Sequence, residues 1–266
     1  MDVADFTTIS EMLASEDLLY VMSTLFGECS RIILSQEGQI DKYIGDCIMA
    51  FWGAPNRVEH MELKMAKAAI MIQQFVSGFR ERMLEEGKPS IHVRIGMHCS
   101  DVLVGNFGSP QRLSYTCMGN GVNLASRLEG ANKYFGSCMI MSDVVYEAML
   151  RSINLQRYDN ELQITDDIDY MVQNEYIRVR TLATTVVKGK TVPCTVYELV
   201  YDDGEFPEEY KMYENAYNLF QKGDFTNALN EFTALKNMKG HVDYVVEKKI
   251  KLCNEYIEHT PSDWNG

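Results

Sequence analysis

Apolar residues recur at helical spacing along two long stretches of the chain, residues 9–35 and residues 59–84. This spacing predicts one or two amphipathic helices in the first stretch and one helix in the second. Shorter patterns predict a helix over residues 120–132 and another over residues 144–151.

Short β-prone runs alternate with these helices. Two of them flank Gly45-Asp46 and predict a hairpin that turns at the glycine. Further strands are predicted at residues 91–98 and 138–141, and residues 177–187 and 191–201 predict a closing hairpin that turns at Lys188-Gly189-Lys190. Interspersed helices and strands indicate α/β or α+β packing around a sheet.

Beyond Gly204 the chain contains helix formers and no strand runs. We therefore predict two domains, residues 1–203 and residues 204–266. The second resembles one tetratricopeptide-type helical hairpin, which cannot bury its own apolar face. Such a hairpin needs the main domain, neighbouring repeats or another subunit to pack on, and a plain helical tail is the alternative that stays open.

Composition narrows the classes of partner. The formal charge is −13, which disfavours passive binding to nucleic acid or to an anionic membrane. A phosphate-bearing ligand therefore needs local cations or a metal. Seven cysteines without a CxxC pair indicate neither a zinc cluster nor a disulfide framework, and they fit a reducing cytoplasm. No apolar run approaches the roughly 20 residues that a membrane span needs.

Three short segments carry candidate chemistry. In the first, Asp2 ends an apolar strand and residues 6–11 (FTTISE) open a helix, whose free amides can attract phosphate while the carboxylate holds Mg²⁺. Capping of this helix by Thr7 or Ser10, with help from Glu11, is the plainer alternative.

The second segment, residues 42–46 (KYIGD), places Asp46 on a tight turn, where it can serve as a metal ligand or simply shape the turn. In the third, residues 116–127 (TCMGNGVNLASR), Asn123 and Arg127 lie four apart. On a helix they share one face and can both point at a polyphosphate. An Asn123 near a cap and a solvated Arg127 form the alternative.

In this order and spacing, the three segments resemble the catalytic domain of class III adenylate and guanylate cyclases. The resemblance covers roughly residues 2–199 and includes residues 92–98 (HVRIGMH), 105–109 (GNFGS) and 187–190 (VKGK). It implies an α+β fold, the ferredoxin-like βαββαβ arrangement, followed here by a C-terminal helical extension. The first strand of the family begins several residues before the aspartate, so we expect that this chain is a fragment of a longer protein.

The resemblance also implies roles for individual residues. Asp2 and Asp46, with the carbonyl of Val3, correspond to the ligands of two Mg²⁺ or Mn²⁺ ions per active site. One ion activates the ribose 3′-hydroxyl and the other neutralises the triphosphate. Phe6 and Thr7 correspond to the turn that binds substrate phosphate.

Four further positions follow from the same resemblance. Arg127 stabilises charge at the transferring phosphorus and Asn123 orients the ribose. Lys188 corresponds to a cation for the terminal phosphates, with Lys190 as an open alternative. Lys42 and Thr116 occupy the two base-selecting positions and favour ATP, since guanylate cyclases typically have Glu and Cys there.

The implied activity is conversion of ATP to 3′,5′-cyclic AMP and pyrophosphate. Metal ligands and the Asn–Arg pair come from opposite subunits in this family, so the expected assembly is a homodimer with two sites. We expect a cytoplasmic location and an upstream membrane sensor in the parent protein. A catalytically inactive dimerisation module and a guanylate cyclase are the alternatives.

Overall fold

Helices and strands alternate through most of the chain, as the hydrophobic pattern predicts. The structure, a computed structural model, describes residues 1–159, 170–172, 175–185, 194–202, 207–238, 242–261 and 264. It divides into two compact units. The first comprises Met1–Gly130 and Cys138–Asp166, and the second comprises Ala131–Ser137 and Asp167–Gly266.

The first unit contains strands and helices in mixed order, which confirms the predicted α+β class. In chain order its elements are β1 (Asp2–Val3), α1 (Phe6–Met12), α2 (Ser15–Ser35), β2 (Gln39–Ile44), β3 (Cys47–Phe51), α3 (Met61–Glu85), β4 (Val93–Met97), β5 (Leu103–Ser109), β6 (Arg112–Met118), α4 (Asn120–Phe135), β7 (Met139–Ser142) and α5 (Asp143–Asp159). The last turn of α4 belongs to the second unit.

Strand β4 lies between β1 and β7. It pairs antiparallel with β1, which sets Asp2 opposite Arg94, and parallel with β7, which sets Ile95 opposite Met139. All four residues of β7 are buried, as expected of a strand covered on both faces. A Cβ at Gly96 would lie 2.2 Å from the carbonyl oxygen of Ala125. Glycine at this position therefore lets α4 pack directly against β4.

Two antiparallel hairpins complete the strands of this unit. The β2–β3 hairpin turns at Gly45, which has a φ of 61°, so the predicted turn is confirmed. The β5–β6 hairpin was not predicted, since residues 105–109 entered only through the resemblance and β6 did not enter at all. Leu113, Tyr115 and Cys117 alternate with polar residues there, a strand pattern.

Helices α1 and α2 show that the stretch of residues 9–35 forms two helices, separated at Leu13 and Ala14. Helix α2 is long and apolar enough, by length and composition, to cross a membrane, contrary to our expectation that no segment approaches this length. This is weak support for a span, because core helices pass the same test. Five residues of α2 are buried against the domain, including Val21, Leu25 and Cys29.

The second unit joins a strand hairpin to three helices. Its elements are β8 (Tyr170–Val172), β9 (Glu175–Thr185), β10 (Cys194–Asp202), α6 (Pro207–Gln221), α7 (Phe225–Met238) and α8 (Tyr244–Glu258). Strands β9 and β10 pair antiparallel, which confirms the closing hairpin. The predicted turn at residues 188–190 lies outside the described residues. Helix α8 was not predicted.

The helices of this unit pack on β9. The Tyr213 hydroxyl donates a hydrogen bond to the Thr181 carbonyl, 2.9 Å away, and Lys249 Nζ donates to the Leu182 carbonyl, 2.7 Å away. Arg180 forms buried ion pairs with Glu198 and with Asp243. The apolar face of the helices is therefore covered within their own unit. The boundary at residue 204 and the tetratricopeptide character of the tail stay predictions.

Candidate active site

Two aspartates lie side by side where β1 meets the β2–β3 hairpin. Met1 and Ile48 exchange backbone hydrogen bonds of 2.8 and 3.0 Å, so β1 runs antiparallel beside β3. This register brings the turn residue Asp46 next to β1, where the carboxyl groups of Asp2 and Asp46 lie within hydrogen-bonding distance of each other. The two predicted metal ligands, 44 positions apart in sequence, thus converge.

The electrostatics of this pair are unfavourable without a cation. Burial, followed by the charge of Asp46, raises the pKa of Asp2. Burial, followed by the charge of Asp2, also raises the pKa of Glu129 on α4. The charge of the Met1 ammonium and then that of Arg94, opposite Asp2 on β4, lower both pKa values and offset this only in part. Three carboxyl groups thus share one region with a single arginine that acts on both shifted groups.

The donor set fits divalent cations that remain open to substrate. Among the described residues, no group of three or more His, Cys, Asp or Glu side chains is arranged to enclose a metal. Two carboxylates without such an enclosure match Mg²⁺, which is usually held by one or two carboxylates together with substrate phosphates. Val3 follows Asp2 in β1, and its carbonyl stays a predicted ligand.

Helix α1 begins at Phe6, four residues after Asp2. Asp5 is the N-cap residue, has a φ of 55° and makes no side-chain capping hydrogen bond. Ser10 donates instead to the Thr7 carbonyl within the helix, so the alternative in which Thr7 or Ser10 caps the helix is wrong. Phe6 is half-buried and Thr7 is exposed, which leaves the hydroxyl of Thr7 accessible to a ligand.

The two predicted base-selecting residues come together through a third. Thr116 Oγ1 on β6 donates a hydrogen bond to Asp41 Oδ2 on β2, at 2.5 Å, and the Cys117 amide donates to the same oxygen at 3.2 Å. Lys42 Nζ lies 3.1 Å from Asp41 Oδ1. The side chain of Asp41 is completely buried. Lys42 and Thr116 therefore border a single site, although 74 positions separate them in sequence.

Asn123 and Arg127 occupy the exposed face of α4. The opposite face of this helix is buried through Leu124 and Leu128. Glu129, whose pKa responds to Asp2 and Asp46, lies two positions after Arg127, about 160° around the helix. Within one chain, Arg127 therefore projects from the side of α4 opposite to Glu129, the residue whose pKa the carboxyl pair raises.

Lys188, the predicted cation for the terminal phosphates, lies outside the described residues, as does Lys190. Our sequence analysis missed three residues of the site: Asp41, Arg94 and Glu129. Asp41 directly precedes Lys42, and Arg94 lies within residues 92–98, one of the segments that carry the resemblance. Their positions in sequence gave no sign of burial or of mutual contact, which depends on strand pairing.

The chain is similar to known nucleotide cyclases. A family model described as the adenylate and guanylate cyclase catalytic domain matches residues 1–160. Adenylate cyclase 1 of Rhizobium meliloti (strain 1021) is 29% identical over 199 residues, which cover 75% of this chain and 26% of that protein. The chain thus spans about a quarter of that relative's length.

Solved structures of cyclases are also similar to this chain. The adenylyl cyclase CyaB from P. aeruginosa is similar with a TM-score of 0.60 and 27% identity, covering 76% of this chain and 91% of that one. The crystal structure of a guanylyl cyclase matches with a TM-score of 0.58 and 24% identity, covering 77% and 91%. The second similarity shows the fold alone.

Proposed function

Since the chain belongs to the family of adenylate and guanylate cyclase catalytic domains, we propose that it converts ATP to 3′,5′-cyclic AMP and pyrophosphate. The observation that carries this proposal is the contact between the Asp2 and Asp46 carboxyl groups. Two carboxylates held this close need positive charge between or beside them. The divalent ions that accompany a nucleoside triphosphate supply that positive charge.

The proposed chemistry is an in-line displacement at the α-phosphorus. Two Mg²⁺ or Mn²⁺ ions, held by Asp2 and Asp46 with the Val3 carbonyl, would lower the pKa of the ribose 3′-hydroxyl and neutralise charge on the triphosphate. The uncapped amides at the start of α1, next to Phe6 and Thr7, lie close in sequence to Asp2 and are available to phosphate oxygens. Lys188 is proposed as a further cation for the terminal phosphates.

Arg127 and Asn123 act on the transition state in this proposal. The Arg127 guanidinium stabilises the negative charge that builds on the transferring phosphoryl group, and Asn123 orients the ribose. Arg127 projects from the side of α4 opposite to Glu129, and Asn123 lies about one turn before Arg127 on the same exposed face. This orientation supports an active site in which the aspartates of one subunit meet the Asn–Arg pair of another.

A homodimer follows from that division of the site. The β5–β6 hairpin exposes large apolar side chains, with Leu103 72%, Leu113 60% and Met118 52% exposed. Apolar side chains clustered on one hairpin are typical of a surface that another protein covers. Two equivalent sites per dimer result from the twofold symmetry.

The proposed substrate is ATP because Lys42 and Thr116 border one site. Lys42 can donate a hydrogen bond to adenine N1, whereas the glutamate that guanylate cyclases typically carry would accept from guanine. The relative from Rhizobium meliloti is named an adenylate cyclase, which supports the same choice. Seven free cysteines fit the proposed cytoplasmic location, and an upstream membrane sensor stays a proposal.

The experiment is a turnover assay on the purified chain with ATP or GTP and Mg²⁺ or Mn²⁺, with cyclic nucleotide and pyrophosphate both measured. We expect cyclic AMP and pyrophosphate in equal amounts, and much less product from GTP. Glu81→Gln, an exposed carboxylate on α3, serves as the matched control for substitutions of Asp46. Absence of both products at protein concentrations that support dimers contradicts the proposal.

A further inference from the structure

Asp41 is a buried carboxylate for which the reaction described above gives no role. Its side chain is fully inaccessible to solvent, and one of its oxygens, Oδ2, accepts hydrogen bonds from the Thr116 hydroxyl and the Cys117 amide. The other oxygen, Oδ1, accepts no hydrogen bond from any described residue and faces only the Lys42 ammonium, 3.1 Å away. Burying a charged group is costly unless it is paired.

The contact with Asp41 fixes the hydrogen-bond polarity of Thr116. A hydroxyl carries one proton and two lone pairs, so by itself it can donate to a ligand or accept from one. An ionised carboxylate only accepts, so the proton of Thr116 is committed to Asp41. Thr116 Oγ1 consequently presents only lone pairs to whatever binds beside it.

The two purine bases differ in the group that would meet those lone pairs. Adenine carries an amino group at C6, which is a donor, and guanine carries a carbonyl oxygen there, which is an acceptor. A hydroxyl whose proton is engaged can accept from the adenine amino group. It repels the guanine oxygen and leaves that oxygen without a partner.

Asp41 also restrains Lys42, the second base-selecting residue. The ion pair lies in the middle of β2, next to the hydrogen bonds that join β2 to β6. One carboxylate therefore connects a cationic donor on one hairpin with a hydroxyl acceptor on the other. Lys42 is 43% exposed in its side chain, so its ammonium group remains accessible to a base.

We propose that Asp41 is a specificity-determining positioning residue, which selects adenine over guanine by holding the proton of Thr116 away from the base. This inference rests on the proposed function, since it concerns the nucleotide that the same site accepts. Asp41 does not touch the substrate. It acts through Thr116.

The decisive variants differ in what they leave beside Thr116. Asp41→Ala and Asp41→Leu remove the acceptor, and leucine keeps the side-chain volume in case alanine prevents folding. Asp41→Asn keeps an acceptor, because the Cys117 amide holds the asparagine oxygen in the place of Oδ2. Thr116→Val removes the hydroxyl. In a protein that carries this substitution, Asp41 has no Thr116 proton to hold, so a further change of Asp41 should not alter base selection.

The measurement is the ratio of kcat/KM for ATP to kcat/KM for GTP, with folding checked by circular dichroism and thermal melting. We expect Asp41→Ala or Asp41→Leu to lower this ratio about tenfold, the effect of one base-edge contact. The change should appear mainly in KM, because a base contact is made equally in the ground and transition states. Asp41→Asn should remain within about threefold of the unchanged protein.

Two results would overturn the inference. One is an equal loss of activity towards ATP and GTP in the Asp41 variants, which indicates a purely structural role. The other is the same tenfold change when Asp41→Leu is combined with Thr116→Val, which shows that the effect does not pass through the hydroxyl.

A binding experiment separates this inference from the proposed function. ATP and GTP analogues with a methylene bridge in place of the α,β oxygen cannot be cyclised, so calorimetric titration with them reports base selection without turnover. Selective binding that Asp41→Leu abolishes, in a protein that releases no cyclic nucleotide, supports Asp41 and rejects the cyclase. The converse result is a protein that converts ATP while Asp41→Leu leaves the preference between the two analogues unchanged. That result supports the cyclase and rejects the role of Asp41.

Discussion

The two units of this protein each contain a cluster of charged side chains, and the clusters are built in opposite ways. In the second unit, Arg180 is flanked by Glu198 and Asp243, and these opposite charges raise the pKa of Arg180 well above its ordinary value against the effect of burial. In the first unit, Asp2 and Asp46 have like charges and lie in contact. The charge of Arg180 is balanced within the chain, whereas the charges of Asp2 and Asp46 are not.

The difference separates a structural site from a ligand site. An ion pair satisfied by its own chain contributes to folding, and breaking it leaves a buried charge without a partner. A pair of like charges costs free energy in the unliganded protein and is relieved only when cations bind. The comparison therefore predicts that equivalent Asp→Asn substitutions have opposite effects on stability in the two units.

The largest expected effect is on catalysis. Asp46→Asn should lower the rate of cyclic AMP formation by about a thousandfold or more, because the site loses a ligand for the ions that stabilise charge on both the attacking and leaving oxygens. Its melting temperature should stay the same or rise, since one like charge has been removed. A large fall in melting temperature would show that the pair is structural.

Arg127→Ala should lower kcat by about a hundredfold to a thousandfold, as expected for loss of one group that stabilises transition-state charge. The KM for ATP should change little in comparison, because the contact strengthens only in the transition state. Arg151→Ala, an exposed arginine on α5, is the control and should leave both constants unaltered. A rise in KM with an unchanged kcat contradicts the proposed role.

Asp243→Asn should destabilise the second unit by about 3–5 kcal/mol, because Arg180 loses one of its two buried partners. Asparagine still accepts the hydrogen bonds that the Val245 and Val246 amides donate to Asp243 at the start of α8, so the effect isolates the charge. Denaturant unfolding provides the measurement.

Glu247→Gln is the matched control for this substitution in the same helix. Glu247 forms a partly exposed ion pair with Lys236, at 2.8 Å, and its loss should cost less than about 1 kcal/mol. Equal losses in Asp243→Asn and Glu247→Gln would contradict the distinction between buried and surface pairs.

The smallest effect concerns Lys249, a buried lysine that contacts the Leu182 carbonyl and lies over the rings of Tyr217 and Phe220. Burial lowers its pKa to about 7. The unfolded chain binds a proton here up to about pH 10. Between about pH 7 and pH 10 the unfolded state therefore holds more protons, and stability rises with pH.

Lys249→Met removes this dependence. Relative to the unchanged protein, its melting temperature should be higher by a few degrees at pH 6, and most of that advantage should disappear by pH 9. The hydrogen bond to Leu182 is lost at both pH values, so the change in the melting-temperature difference between pH 6 and pH 9 reports the protonation of Lys249. A difference that does not vary with pH would show that Lys249 keeps its ordinary pKa.

The sequence predicted the elements that have strong periodicity. Helices α2, α3 and α4 and the β2–β3 hairpin follow from residue spacing and from the glycine at the turn. The resemblance to cyclases added the pair Asp2 and Asp46, which the structure brings together. Strand β6 and helix α8 were missed, although Leu113, Tyr115 and Cys117 alternate with polar residues in β6 and α8 is 15 residues long.

Asp41 illustrates why part of the site could not be predicted. An aspartate before a lysine in a β-prone run suggests a solvated surface strand, and only the pairing of β2 with its neighbours buries it beneath Thr116. Glu129 is similar, because its proximity to Asp2 depends on the close approach of α4 to β4 at Gly96. Long-range packing of this kind leaves no local signature.

The central claim is that aspartates from one subunit and Arg127 from another complete each active site, and a mixing experiment tests it most directly. Asp46→Asn and Arg127→Ala are each inactive in this account. When equal amounts are mixed and allowed to exchange subunits, half of the dimers are mixed and each contains one intact site. We predict recovery of about a quarter of the unchanged protein's cyclic AMP formation, whereas a mixture as inactive as its components would contradict the claim.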